Sequence, residues 1–230
     1  MTLPVAITAP GLDLGQLTGG GGGTSPLQLV ALLTVLTVLP GLLLTVTAFP
    51  RILIVLGFIR NALGTPTVPP NQILVGIALF LTLFVMGPTF TKVNSESVQP
   101  YLHGELSQHD AFVRGVEPIR TFMFKQTRDS DLALFVKLGK LQRPETRADI
   151  PTRVLVPAFV LSELKTAFQI GFLIYLPFLV IDMVVSSVLM SMGMMMLPPI
   201  VISLPFKVLL FVLVDGWHLV IEGVVNSFHV

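Results

Sequence analysis

The sequence predicts an all-α protein of the membrane type, with apolar helical hairpins on either side of a small helical polar domain. The first observation is composition, because 53% of the residues are hydrophobic and only 12% are charged, whereas soluble domains carry about 25% charged residues. The second is that 18 of the 27 charges lie in residues 92–153, between two apolar regions. The third is that these regions contain runs long enough for a helix to cross a hydrocarbon core of about 30 Å.

The N-terminal part of the chain divides into a tail and a first hairpin. Residues 1–25 form a flexible Gly-rich tail, because the run Gly19–Gly23 costs much backbone entropy to order. The tail lacks the basic and apolar regions of a secretory signal. Residues 26–91 form the first apolar helical hairpin, in which Leu27–Phe49 is uncharged, Pro40 predicts a kink and Gly64–Pro70 predicts a turn. The second apolar run of this hairpin starts at Ile73, and Gly87-Pro88 is expected to end it, with an extension to Phe90 as the alternative.

Residues 92–153 are predicted to be a polar, amphipathic helical domain that packs against its neighbours. Apolar residues recur there at spacings of three and four: they are Ile119, Phe122, Met123, Leu132, Phe135 and Leu138. The carboxylates of this block are expected to lie on a solvated face. The block precedes the second apolar hairpin, which covers residues 154–230.

The second hairpin begins with an apolar stretch that is too long for one straight span. Val154–Leu197 would form a helix of roughly 66 Å, about twice the thickness of a bilayer core. It must therefore break, tilt or project beyond the membrane. Pro157 is expected to start the helix, Pro177 to kink it and Gly193 to end it.

The arginines of the first hairpin predict an orientation. Arg51 and Arg60 are placed in a short connection between apolar stretches, and positive residues in short loops stay cytoplasmic. The tail and the 92–153 domain are then on the periplasmic side.

Methionines form the strongest local pattern of the sequence. Five of the nine lie within residues 190–199, interrupted by glycine and followed by two prolines; they are Met190, Met192, Met194, Met195 and Met196. Methionine is flexible and polarizable, so it repacks readily around variable surfaces. Irregular backbone at membrane depth is tolerated where it is buried or lines a cavity. The pattern predicts a deformable pore constriction, and a lipid-facing or core turn filled by methionine is the alternative.

Charged residues inside the second hairpin need partners of opposite charge. A charge at the bilayer centre costs about 2.5 kcal/mol or more, so such residues usually pair. Glu163 and Lys165 point about 200° apart on a helix and cannot share a partner. We expect Glu163 to pair with Lys207, within a chain or between copies. An ion relay and snorkelling to water are the alternatives.

Several functional classes have no support in the sequence. The net charge of +1 argues against nucleic-acid binding. The absence of cysteine excludes disulfides and Cys-ligated metal centres. No histidine has metal-ligand spacing, and no phosphate loop or nucleophile elbow occurs. We therefore predict no catalytic residue, no cofactor, no metal and no enzymatic activity.

Several segments together resemble the FliP/SctR family of export-gate proteins from bacterial flagella and virulence type III secretion systems. The resemblance covers roughly residues 26 to 228. It is carried by residues 49–55 (FPRILIV), 70–74 (PNQIL), 99–102 (QPYL), 157–159 (PAF), 162–172 (SELKTAFQIGF), 192–196 (MGMMM), 202–207 (ISLPFK) and 213–217 (LVDGW). The pattern around Gln126-Thr127-Arg128 is more similar to the flagellar branch.

The resemblance implies a non-enzymatic protein of the bacterial inner membrane and the flagellar basal body. It implies a ring of several copies, a pentamer, assembled with Q-type and R-type export gate proteins and further export proteins, and contacting membrane lipid. Unfolded flagellar export substrates pass through this ring. The virulence branch of the family and an ion-coupled secondary transporter, with Glu163, Lys165 and Asp215 as its coupling site, are the alternatives.

The resemblance also implies roles for individual residues. The methionine loop is implied to act as a gasket around the pore. Glu163 and Lys207 are implied to form an ion pair between subunits. Phe122 and Phe135 match aromatic positions that pack the polar domain in the assembly.

Overall fold

The computed structural model describes residues 44–65, 67–141, 146–194 and 196–229, together with the single positions 30, 33, 34, 37 and 41. All regular structure in these residues is helical, which confirms the predicted all-α class. The predicted tail of residues 1–25, the Pro40 kink and most of the first apolar stretch lie outside the described residues. All helices with described bounds lie within residues 43–230.

Within residues 43–230, eight α-helices and two short helical turns have described bounds. The α-helices are α1 (Phe49–Ala62), α2 (Asn71–Val93), α3 (Gln99–Leu102), α4 (Gln108–Gln126), α5 (Asp129–Leu138), α6 (Thr152–Ser191), α7 (Pro199–Leu213) and α8 (Gly216–Asn226). A π-helical turn, Asn94–Val98, joins α2 to α3, and a 3-10 turn, Arg147–Asp149, precedes α6.

Helix α1 forms because its apolar residues recur on one face. Ile52, Val55 and Ile59 are spaced by three and four residues, and all three are buried. Pro50 lies in the first turn, where its missing N–H group has no helical partner to lose. After the helix, Gly64 adopts a φ of +73°, which suits glycine. The turn predicted at 64–70 is confirmed, because α2 starts at Asn71.

Helix α2 does not end where the sequence predicted. It passes through Gly87-Pro88 to Val93 and continues as a π-helical turn into α3. Proline removes one backbone donor, but Met86 and Thr89 are buried on either side of it, so packing holds the helix together. Ser97 in the π-helical turn donates a 2.6 Å hydrogen bond to the carbonyl of Ala111, which ties the extension to α4.

Helix α6 is a single helix of 40 residues, about 60 Å long. It begins at Thr152 after Pro151, so the predicted start at Pro157 is wrong. Pro157 lies in the second turn, where proline removes one backbone hydrogen bond, but Leu155 and Ala158 are fully buried beside it, so packing holds the helix together. Pro177 lies within the helix. The predicted end is confirmed, because the helix stops at Ser191 and Gly193 adopts a φ of +74°.

Two helical segments of the described chain are long and apolar enough to cross a membrane: Asn71–Leu102 and α6. Helices α7 and α8 together would make a third span, bent by 66°. The bend falls at Asp215, whose left-handed φ of 50° interrupts the helix between α7 and α8. Only 11% of the most apolar window of α6 is buried within the chain, against 33% for Asn71–Leu102. A single copy therefore leaves most of this apolar window of α6 uncovered.

The hydrophobic core lies where α1 packs on α6, with α2 and α4 beside them. Ile52 and Ile59 of α1 and Leu155 and Phe159 of α6 are fully buried there. Helix α4 of the polar block packs against α2 and α6, as expected of a small domain that depends on its neighbours. This core places three charged residues of α6 against other helices.

Candidate functional site

Three charged residues of α6 each bind a residue of a different helix. Glu163 binds Arg51 of α1, Lys165 binds Asp131 of α5, and Asp182 binds Lys207 of α7. Asp182 lies about 28 Å along the helix from Glu163. The long helix is therefore tied at two levels, near the polar block and near its methionine-rich end. Glu163 and Lys165 have different partners, as their angular separation predicted.

The guanidinium of Arg51 is the centre of a buried polar cluster. Its Nε donates to Glu163 Oε2 at 2.8 Å, and a second N–H donates to Glu163 Oε1. Its Nη1 donates to the carbonyl and the hydroxyl of Ser227 at 2.8 and 2.9 Å. The ring of Phe228 lies 3.9 Å from the guanidinium carbon. Arg51 is 2% exposed and Glu163 is 0% exposed, so the pair is shielded from water.

Gln126 extends this cluster to the end of α4. Its side-chain oxygen accepts from Arg51 at 3.3 Å, and its Nε2 donates to the carbonyl of His229 at 2.9 Å. The Arg51 cluster, defined as Arg51, Gln126, Glu163, Ser227 and Phe228, thus joins α1, α4, α6 and the segment after α8. A buried charge pair is tolerated only when its remaining donors and acceptors are satisfied, and this cluster meets that condition.

Lys207 has a different partner from the one predicted. Its Nζ donates to Asp182 Oδ2 at 2.6 Å, and Ser203 donates to Asp182 Oδ1 at 2.6 Å. Lys207 is 1% exposed, whereas Asp182 is half-buried. The predicted Glu163–Lys207 pair is therefore wrong within one chain, because Arg51 already occupies Glu163. A Glu163–Lys207 pair between subunits stays a prediction.

Asp131 fixes the start of α5 against α6. It accepts a hydrogen bond from Lys165 and a 2.8 Å hydrogen bond from Ser162. Burial acts to raise the pKa of Asp131, but the hydrogen bonds from Lys165 and Ser162 and the charges of Lys165 and Arg128 outweigh it. The pKa of Asp131 is consequently lowered below its usual value of 3.8. The expectation that the carboxylates of 92–153 all lie on a solvated face is wrong for this residue.

Arg51 lies inside α1 and not in the short connection where the sequence pattern placed it. A buried arginine that binds a carboxylate carries no information about which side of a membrane a loop occupies. Arg60 lies in the last turn of α1 and donates to the side chain of Asn71. The predicted orientation of the chain thus depends on Arg60 alone and stays a prediction.

The methionine-rich turn, residues 190–199, joins α6 to α7 and exposes its side chains. The exposed fractions are 62% for Met190, 64% for Met192, 41% for Met194 and 99% for Met196. Met195 lies outside the described residues. In the single chain, the described methionines of this turn are therefore not core fillers. Their assignment to a pore constriction stays a prediction.

The two predicted packing aromatics lie in different surroundings. Phe122 is 3% exposed and contacts the rings of Phe159 and Phe228 at centroid distances of 6.1 and 6.4 Å. Phe135 is half-buried at the edge of the core and lines a cavity with Gly139. Phe122 stabilises the chain's own core, whereas Phe135 has surface left for another contact. Their role in assembly stays a prediction.

Three ion-pair partners were not predicted from the sequence: Arg51, Asp131 and Asp182. Arg51 and Asp182 interrupt apolar runs, and a lone charge in such a run needs an opposite charge, so that signal was present. Asp131 stands four residues before Phe135 and seven before Leu138, which places it on the apolar face of α5. In the described parts of the chain, no group of three or more His, Asp or Glu residues is placed to hold a metal.

Comparison with known proteins identifies relatives over most of the chain. The model of the FliP family matches residues 32–224. The chain is similar to the flagellar biosynthetic protein FliP of Bacillus subtilis strain 168, with 57% identity over 205 residues, or 89% of this chain and 93% of that protein. It is 54% identical to the protein of that name from Pectobacterium carotovorum over 221 residues, covering 96% and 86% of the two chains. For Caulobacter vibrioides the identity is 50% over 224 residues, covering 97% and 84%.

Proposed function

Since the chain belongs to the FliP family, we propose that it is a core subunit of the flagellar type III protein export gate. Several copies, with Q-type and R-type partner proteins, surround a pore through which unfolded flagellar substrates cross the bacterial inner membrane. The relatives described above are flagellar biosynthetic proteins, which favours the flagellar branch over the virulence branch.

The observation that carries this proposal is the exposure of the methionine-rich turn. A turn of residues 190–199 that needed methionine only to fill its own core would bury the thioethers, yet Met196 is 99% exposed. Unbranched thioether side chains change conformation at low cost. A ring of such turns closes around an empty pore and yields to a passing polypeptide of variable side-chain size, which a rigid ring cannot do.

The uncovered helices support an assembly of several chains. Exposed aromatic side chains follow one another along α6 at Phe168 and Phe172, and α2 exposes Phe80 and Phe84. Lipid covers part of such a surface, and neighbouring subunits cover another part. A ring of copies, a pentamer by family resemblance, meets this requirement.

The ion pair between subunits takes a modified form in this proposal. Glu163 and Lys207 both have partners within the chain. For Glu163 of one copy to bind Lys207 of the next, Arg51 and Asp182 must release them during assembly. Exchange of this kind links the final position of α7 to the arrival of a neighbouring subunit.

The proposal assigns the chain no catalytic residue, cofactor or metal. Energy for transport then comes from other export proteins, since the sequence contains no phosphate-binding loop. The alternative of a secondary transporter needs Glu163, Lys165 and Asp215 to act together. These residues lie instead in three environments: Glu163 binds Arg51, Lys165 binds Asp131, and Asp215 is exposed at the α7–α8 bend.

The test uses the complex obtained by co-expressing the chain with its Q-type and R-type partners. The variant Met194→Ala/Met195→Ala/Met196→Ala is compared with Met183→Ala, which removes an exposed methionine from α6 outside the turn. We expect the triple variant to assemble and to let ions leak across liposomes into which the complex is reconstituted. Liposomes that contain the Met183→Ala complex should remain impermeable to ions. An intact triple-variant complex with unchanged ion permeability would contradict the gasket.

A further inference from the structure

Methionine is the only sulfur-containing residue in this sequence, which has nine methionines and no cysteine. Hydrogen peroxide transfers one oxygen atom to a methionine thioether, which becomes a sulfoxide, and the peroxide is itself reduced to water. No cysteine thiolate competes for the oxidant here. The access of peroxide to each thioether therefore decides where this chain is oxidised.

The described methionines differ sharply in exposure. Met86 in α2 and Met123 in α4 are buried in the core. Met183 of α6 is exposed, and so are all four described methionines of the methionine-rich turn, namely Met190, Met192, Met194 and Met196. The turn thus concentrates accessible thioethers at one end of the α6–α7 hairpin.

The backbone of the turn is hydrogen-bonded although its side chains are uncovered. The N–H of Gly193 donates to the carbonyl of Met190 at 3.1 Å, and the N–H of Met194 donates to the carbonyl of Leu189 at 3.0 Å. These bonds close the end of α6 without any side chain, so oxidation of a thioether leaves them intact. Oxidation therefore changes the surface of the turn and not its backbone.

The surroundings of the turn make oxidation a large change in polarity. No charged residue lies between Asp182 and Lys207, and Val188 and Leu197 expose further apolar side chains beside the turn. Oxidation converts a flexible apolar side chain into a polar one. Hydrophobic constrictions in channels block ions by excluding water. A constriction lined by sulfoxides would instead hold water and let ions pass.

We propose that the methionine-rich turn is a reversible oxidation site that controls the seal of the pore. This inference rests on the gasket function proposed above for the same turn. Peroxide converts its thioethers to sulfoxides, water enters the closed constriction, and ions cross it. Methionine sulfoxide reductases reverse the change, because a dithiol reductant removes the oxygen as water and is itself oxidised to a disulfide.

Peptide mass spectrometry tests the site. The complex with the Q-type and R-type partners is reconstituted into liposomes, treated with hydrogen peroxide, and digested at successive times. We expect the peptide that contains the turn to gain oxygen at least several-fold faster than the peptides that contain Met86 and Met123, because those two side chains are buried. Equal rates of oxidation would overturn the proposal.

Ion permeability of the same liposomes tests the consequence. It should rise several-fold after peroxide and return after treatment with methionine sulfoxide reductases A and B and a dithiol. A variant with leucine at all five methionines of residues 190–196 keeps an apolar turn that cannot be oxidised, and it should stay impermeable in peroxide. The matched control, Met183→Leu, should respond like the unmodified complex. If the five-residue variant does not assemble, Met194→Leu/Met195→Leu/Met196→Leu should show a reduced response.

The results separate this inference from the gasket itself. Oxidation of the turn without a change in ion permeability overturns the inference, and so does a leucine variant that leaks as much in peroxide as the unmodified complex. In either case the gasket still stands if the untreated Met194→Ala/Met195→Ala/Met196→Ala complex leaks. An untreated alanine complex that assembles and remains impermeable would instead contradict the gasket.

Discussion

Replacing Arg51 by methionine tests the central ion pair of the fold. Methionine approximates the apolar stem of arginine but removes the guanidinium, so Glu163, which is 0% exposed, is left as a buried charge without a partner. Breaking a buried pair in this way costs about 3–5 kcal/mol. Since 1 kcal/mol shifts the unfolding midpoint of a chain of this size by about 2–4 °C, we expect a decrease of roughly 6–20 °C.

The midpoint is measured by heating the detergent-solubilised chain and following the loss of the folded peak in size-exclusion chromatography. Arg153→Met is the matched control, because Arg153 is exposed in the first turn of α6, and it should change the midpoint little. The double variant Arg51→Met/Glu163→Met should recover much of the loss, since apolar replacement of both partners removes the uncompensated charge. Arg51→Lys keeps the charge but loses the two-pronged geometry, so its midpoint should lie in between.

Two results would refute this reasoning. One is an Arg51→Met midpoint that matches the Arg153→Met control. The other is a double variant that is no more stable than Arg51→Met, which would mean that Arg51 acts through Ser227 and Phe228 and not through Glu163.

For three further substitutions, the surroundings of the residue predict the direction of the change in stability. Lys207→Met should lower the midpoint by less than Arg51→Met does, because the half-buried carboxylate left behind reaches water. The pKa of Asp131 is lowered below its usual value of 3.8, so the ionised carboxylate stabilises the fold above pH 3.8. This contribution is lost as the pH falls through the lower pKa of the folded state. Asp131→Asn should remove that part of the acid dependence of the midpoint. Gly171→Ala should destabilise by about 1–3 kcal/mol, because its Cβ would lie 2.5 Å from the Phe58 ring. Gly76→Ala, where a Cβ meets nothing within 4 Å, should not lower the midpoint.

The spacing of apolar residues and the positions of glycine and proline made much of the fold predictable. The turn at 64–70 and the end of α6 at Gly193 were predicted because glycine and proline act locally, through backbone geometry. Pro88 and Pro157 were wrongly treated as helix boundaries. At both positions buried neighbours outweigh the loss of one hydrogen bond, and burial depends on contacts that a single local segment does not contain.

The partners of the charged residues could not be predicted from local sequence. That Glu163 needs a cation follows from the cost of an unpaired charge in an apolar segment, but the choice between Arg51 and Lys207 depends on how α1 and α7 pack on α6. Arg51 precedes Glu163 by 112 positions, so no spacing rule connects them. The exposure of the methionine-rich turn likewise requires the fold, because the same residues would suit a packed core.

The uncovered length of α6 also has a consequence for biogenesis. A copy without neighbouring subunits exposes a large apolar surface along α6 to chaperones, insertases and proteases. If the proposed assembly forms, cells would hold this protein at the level set by its least abundant partner, and surplus chains would be degraded instead of accumulating.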